Sequence, residues 1–178
     1  MWRNALMKIK NYAISLLLSC VIAFVAHAQS KLSDAQIAEI VEQANEAEIG
    51  VAEMAESKAK NPEVKKLALE VILLHEKANR EVQRITKDNS IKPVPSKMSN
   101  TIRTKGKAFK KEFKQKKPLD FDRMFVDQQA LIYQRFVTDM DQKLIPFAQK
   151  KELKEFLMST RNEVADHLIR VKSVQASF

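Results

Sequence analysis

The chain has 178 residues, with 31 Lys and Arg against 22 Asp and Glu, a formal net charge of +9, and a single cysteine. Two glycines and five prolines are too few for the tight turns of most β architectures, and one cysteine excludes a disulfide framework and any cysteine-based zinc or iron–sulfur site. The length allows one domain with a real core, and the abundance of Ala, Glu, Lys, Leu and Gln predicts long helices.

Residues 1–28 read as a secretory signal. Arg3, Lys8 and Lys10 form a basic start, residues 13–26 are an apolar run, and Ala26-His27-Ala28 has the small-x-small pattern of a cleavage site. The expected mature chain is a single helical-bundle domain over 29–178, exported to the periplasm or cell envelope. An uncleaved anchor competes with this, but the run is shorter than the roughly 20 apolar residues of a spanning helix. A lipoprotein signal through Leu17-Leu18-Ser19-Cys20 fits poorly, because Cys20 lies inside the apolar run. The mature chain is not expected to span a membrane.

Removing the signal leaves 28 basic and 22 acidic residues, or +6. That excess is local. Residues 29–86 carry −3, residues 119–178 carry zero, and residues 87–118 carry +9.

The first helix opens at Ser33, which with Gln36 has the spacing of a capping box. Ile37, Val41, Ala44, Glu48, Val51 and Ala55 recur at helical spacing, and the helix should end near Lys60. Asn61-Pro62-Glu63 starts the second helix, with Asn as cap and Pro in the first turn. Its stripe is Val64, Ala68, Val71, His75, Ala78 and Val82, fading near Lys87. Pro93 and Pro95 mark a loop over 88–97. A short basic amphipathic helix over 98–117 places Ile102, Gly106, Phe109 and Phe113 on one face, and Pro118 breaks it. The third long helix covers 121–144, with one stripe through Phe125, Gln128, Ile132, Phe136 and Asp139. A second runs through Val126, Ala130, Tyr133, Val137 and Met140. The last helix starts near Lys150 and carries Leu153, Leu157, Val164, His167, Val171 and Val174. Four long helices, two short hairpin turns and one long middle connection describe an all-α, up-down four-helix bundle with an extra short basic helix.

Glu48, His75, Tyr133 and His167 are polar groups on apolar stripes, the arrangement from which bundles build inward metal sites. Glu48 lies 13 residues before Asn61 and His75 lies 14 after it. Tyr133 and His167 lie 17 residues either side of Lys150. With both hairpin turns at one end of an up-down bundle, the two levels differ by about one turn, roughly 5 Å. The four groups are therefore candidate ligands for a divalent transition metal, and a hydrogen-bonded core cluster is the alternative. No Glu-x-x-His pair is present, since Ile72 and Val164 precede the two histidines by three residues; this opposes a ferritin-type di-iron centre. Phosphate loops, nucleophile elbows and His-Glu-x-x-His are also missing. A non-enzymatic role, in binding or in envelope stress, follows more readily than catalysis.

The basic segment reads first as a solvated lysine face. Its functional reading is contact with an anionic envelope surface through Lys105, Lys107, Lys110, Lys111, Lys114, Lys116 and Lys117, with Ile102, Phe109 and Phe113 inserting. Nucleic acid is not an expected partner, because export and the lack of a reading motif oppose it.

Several runs in combination resemble one bacterial family. They are Ala44-Asn45-Glu46-Ala47-Glu48-Ile49, Asn61-Pro62-Glu63-Val64-Lys65, His75-Glu76-Lys77-Ala78-Asn79, Phe121-Asp122-Arg123 and His167-Leu168. The family is an exported domain of unknown function, grouped with ferritin-like bundles and often labelled "predicted outer membrane protein". The resemblance covers about residues 33–172 and implies an exported helical bundle, without implying a reaction. Two positions depart from the family pattern: Leu74 stands where members usually carry Asp, and Tyr133 where they commonly carry His. Both changes remove ligands that the resemblance would otherwise imply.

Overall fold

A computed structural model describes residues 31–115 and 118–178; the signal assigned to residues 1–28, and Lys116 and Lys117, lie outside them. The described residues are all-α. The helices are α1 (Asp34–Lys58), α2 (Pro62–Asp88), α3 (Lys97–Lys114), α4 (Pro118–Asp139) and α5 (Lys151–Gln175). A π-helical turn, Met140–Leu144, continues α4. Among the described residues no helix is long and apolar enough to cross a membrane.

The expected start signals operate. Ser33 and Gln36 form the reciprocal capping box of α1, and Asn61 caps α2 ahead of Pro62. The basic helix begins slightly earlier than its apolar face suggested, because Ser96 and Ser99 make a second reciprocal cap. Pro118 is the first residue of α4, where its missing N–H is harmless.

Helix α1 packs on α2, α3 and α4; α5 packs on α4 and α2. Two aspartates reveal how these helices are directed. Asp122, near the start of α4 and 2% exposed, accepts hydrogen bonds from Lys60 N (3.0 Å) and Asn61 N (2.7 Å) in the α1–α2 turn. Asp34, at the start of α1, accepts from Gln149 N (2.8 Å) and Lys150 N (3.0 Å) in the α4–α5 turn. Each hairpin turn therefore lies beside the opposite hairpin's free end. This corrects the up-down arrangement with both turns at one end. The two turns sit at opposite ends, and α2 and α4 run the same way.

The physical reason is α3. Val94 N donates to Ala35 O at the start of α1, and Lys114 O accepts from Lys58 Nζ at its end. So α3 runs parallel to α1, and its 18 residues span about 27 Å. It carries the chain back along the bundle before α4 begins. Gly106 permits the close fit, since a Cβ there would lie 2.9 Å from Ala47 Cβ. Phe113 is fully buried against Phe121 and Phe125, with ring centroids 4.9 and 6.5 Å away.

The core divides into two apolar clusters. One gathers Val51, Leu67, Phe113, Phe121, Phe125 and Val164; the other gathers Ile37, Ile40, Val82, Ile85, Leu144 and Leu157. On α1 and α2 the residues between the two clusters include Glu48 and His75.

Candidate functional site

The middle of the bundle brings the four predicted residues into one neighbourhood. Glu48, His75 and Tyr133 are buried, while His167 is half-buried. They meet although the hairpin turns are at opposite ends. Each residue lies well inside its helix, so its level hardly depends on the end from which it is counted.

His75 is held from both sides. Asn45 Nδ2 donates to Asn79 Oδ1 (2.9 Å), which leaves Asn45 Oδ1 to accept from His75 Nδ1 (2.8 Å). The imidazole hydrogen is thus on Nδ1, and Nε2 accepts from the Tyr133 hydroxyl (3.2 Å). Tyr133 lies between the two histidines, its ring centroid 5.9 Å from His75 and 6.3 Å from His167. On the other side, Gln129 Nε2 donates to Glu48 Oε2 (2.8 Å).

Burial favours the uncharged form of each group. It pushes the Glu48 carboxyl up to about 7, against which the Gln129 hydrogen bond works. Burial also pulls His75 down to about 3, with nearby His167 adding to the effect. Tyr133 is raised well above the ordinary phenol range, first by burial and then by the Glu48 charge. Burial lowers His167 as well, opposed by Glu70, Glu163 and Asp166.

Among the described residues, two buried side-chain polar atoms have no hydrogen-bond partner: Gln129 Oε1 and His167 Nδ1. Both belong to this centre. Among those same residues, no three His, Cys, Asp or Glu side chains group closely enough to hold a metal. The donors that do gather are two imidazoles, a phenol, a carboxyl and an amide.

Sequence reasoning missed Asn45, Asn79 and Gln129. It placed Gln128 on a stripe, yet the fully buried glutamine is Gln129, four residues from both Phe125 and Tyr133. That spacing was a usable signal. Asn45 likewise lies four residues after Val41 and three before Glu48. Two further side chains have partners on other elements. Glu163 is paired with Lys77 (2.9 Å). Asp122 accepts from the backbone of the α1–α2 turn.

The basic segment forms a second candidate surface. Lys105, Lys107, Lys110, Lys111 and Lys114 are exposed, and none is ion-paired with a described residue. Its apolar side chains are not available for insertion. Phe113 is fully buried, and Ile102 and Phe109 pack against the two core clusters. The bundle itself consumes that face and leaves the lysines outside.

No curated protein and no solved structure matches the chain. A family model does, over residues 22–174, and its description is a domain of unknown function. That match spans most of the chain, which therefore belongs to the DUF4142 family.

Proposed function

We propose that the chain is exported to the bacterial periplasm or envelope and acts there by non-enzymatic binding. In this reading α1, α2, α4 and α5 are a ferritin-like four-helix bundle, and the crossover helix α3 is its docking face. The observation that carries it is the set of five exposed lysines on α3, none of them ion-paired with a described residue. They belong to a helix whose other side is anchored by Gly106 and Phe113. Such a concentration of cations suits phosphorylated lipid headgroups, each lysine that reaches an anionic surface contributing roughly 1 kcal/mol. The signal-like residues 1–28 support export.

Vesicle co-sedimentation of the chain 29–178 tests the docking. Binding to vesicles of anionic lipid is expected at about 0.1 M salt, where charges act over about 10 Å. It should fade near 1 M, where they act over about 3 Å. Changing Lys105, Lys107, Lys110, Lys111 and Lys114 to Gln should weaken binding by about 100-fold or more. Equal binding by that variant, or equal binding to zwitterionic vesicles, would refute the proposal. Cell fractionation tests export, with an N-terminus at Gln29 expected and retention of the unprocessed chain in the cytoplasm counting against it.

A further inference from the structure

We propose that the polar centre binds one divalent transition-metal ion through His75 Nε2, the Tyr133 oxygen and His167 Nδ1. This set differs from a carboxylate-rich site: one of its three donors is a phenol, in keeping with the lack of any close group of three His, Cys, Asp or Glu side chains among the described residues.

Three observations carry it. The first is a spacing. His75 Nε2 and Tyr133 Oη are 3.2 Å apart. Two ligands each about 2.0–2.1 Å from a metal, at an angle of about 100–110°, stand about 3.2–3.4 Å apart. The pair therefore already has the separation of two adjacent ligands, and the Nε2 lone pair has to turn from the hydroxyl toward the metal. The second is the support around His75. A ligating histidine characteristically donates its other ring N–H to a fixed acceptor, and here Asn45 Oδ1, itself oriented by Asn79, receives the Nδ1 hydrogen. That arrangement locks the tautomer with the Nε2 lone pair facing Tyr133. The third is an unused ligand atom. His167 Nδ1 is buried without a partner, and its ring lies 6.3 Å from that of Tyr133, centroid to centroid, with the two planes near perpendicular. Buried polar atoms are nearly always paired, so an orphan imidazole nitrogen on the ring next to Tyr133 marks a place for a ligand.

Binding replaces one interaction with three. The Tyr133 O–H proton leaves to solvent, the phenolate oxygen and the freed Nε2 lone pair both turn to the metal, and His167 Nδ1 completes the set. Nothing is oxidised or reduced. Imidazole and phenolate donors suit copper, iron and zinc, and copper(II) gives the tightest complexes with a given set of nitrogen and oxygen ligands. Copper(II) is therefore the most permissive probe. Access lies along the seam of α2 and α5, where half-buried His167 sits among Lys77–Glu163 and Arg170–Glu70 pairs at 2.9 and 3.3 Å.

The test has a clean reporter. Of two tyrosines, Tyr12 precedes residue 29, so the chain 29–178 contains Tyr133 alone and no tryptophan. Copper(II) titration of that chain should saturate at one equivalent and raise a tyrosinate-to-copper absorption band. Tyr133→Phe removes one oxygen, keeps the ring packing and should abolish the band without loss of helicity by circular dichroism. His167→Ala should cost more affinity than Asn45→Ala, which acts through His75 and is expected to weaken binding about 10–100-fold. A folded chain that binds no copper, binds it without the band, or binds it equally well as Tyr133→Phe and His167→Ala would overturn the inference. Vesicle binding through α3 is a separate measurement and survives either outcome.

Discussion

Replacing Glu48 by Gln should change the pH dependence of stability more than stability itself. The carboxyl titrates at about 7 in the folded chain against 4.5 ordinarily. Below pH 4.5 both folded and unfolded states hold the proton, so the neutral carboxyl costs nothing there. Between 4.5 and 7 the folded state holds more protons than the unfolded one, and stability falls as pH rises. The whole interval corresponds to about 3 kcal/mol, lost by about pH 8. His75 acts in the opposite sense. Its folded value of about 3 against 6.5 makes stability fall as pH drops from 6.5 towards 3. Wild-type stability alone therefore mixes two opposed slopes, while the difference between Glu48→Gln and wild type cancels the histidine. The introduced amide keeps an oxygen to accept from Gln129 Nε2 and adds an N–H that matches the unpaired Gln129 Oε1. Urea denaturation at about pH 4, 6, 7 and 8.5 should show the variant gaining about 3 kcal/mol on wild type across the series. A difference that stays flat within about 0.5 kcal/mol would show that Glu48 is not held neutral in the folded chain.

The remaining predictions concern how α3 and the turns are fixed. Gly106→Ala should destabilise by about 1–3 kcal/mol, because the new Cβ meets Ala47 Cβ at 2.9 Å and neither can swing away. Gly50→Ala is the control: its nearest neighbour is the flexible end of Lys110 at 3.1 Å, so helix propensity should make it neutral or up to about 1 kcal/mol stabilising. Thermal melts separate the two, and equal effects would contradict the close-packing account of α3. Asp122→Ala removes the acceptor for the Lys60 and Asn61 amides and should cost about 2–3 kcal/mol in urea melts. Asp120→Ala, at an exposed position in the same turn, should change stability by less than about 0.5 kcal/mol, and a matching loss there would point to a dipole effect instead.

The helices were legible because their signals are local. Ser33 with Gln36, and Asn61 before Pro62, act within one turn, and the apolar stripes repeat within a single helix. Direction was not legible, because it depends on where the long middle connection ends. Nothing in Ile102, Phe109 and Phe113 distinguishes a face that meets lipid from one that meets the bundle; both require apolar residues at the same spacing. Gly106 was the overlooked hint. A glycine in the middle of a helix is costly unless another backbone approaches it, and that of Ala47 does.

The site shows the same division. Residues that stood out as polar on an apolar stripe, Glu48, His75, Tyr133 and His167, were found; residues that serve them were not. Asn45 and Gln129 sit at core spacing on their helices, but what they do there exists only once a neighbouring helix supplies His75 or Glu48. The proposed metal site requires α1, α2, α4 and α5 to hold Asn45, His75, Tyr133 and His167 in register, whereas the proposed lysine face requires that α3 stay docked on α1 and α4. Loosening α3 at Gly106 should therefore disturb vesicle binding before it disturbs the Tyr133–His75 contact. Changing Tyr133 should do the reverse. Two proposed sites that rest on separate contacts of one bundle should be lost one at a time, and a variant that lost both together would mean that the bundle itself had come apart.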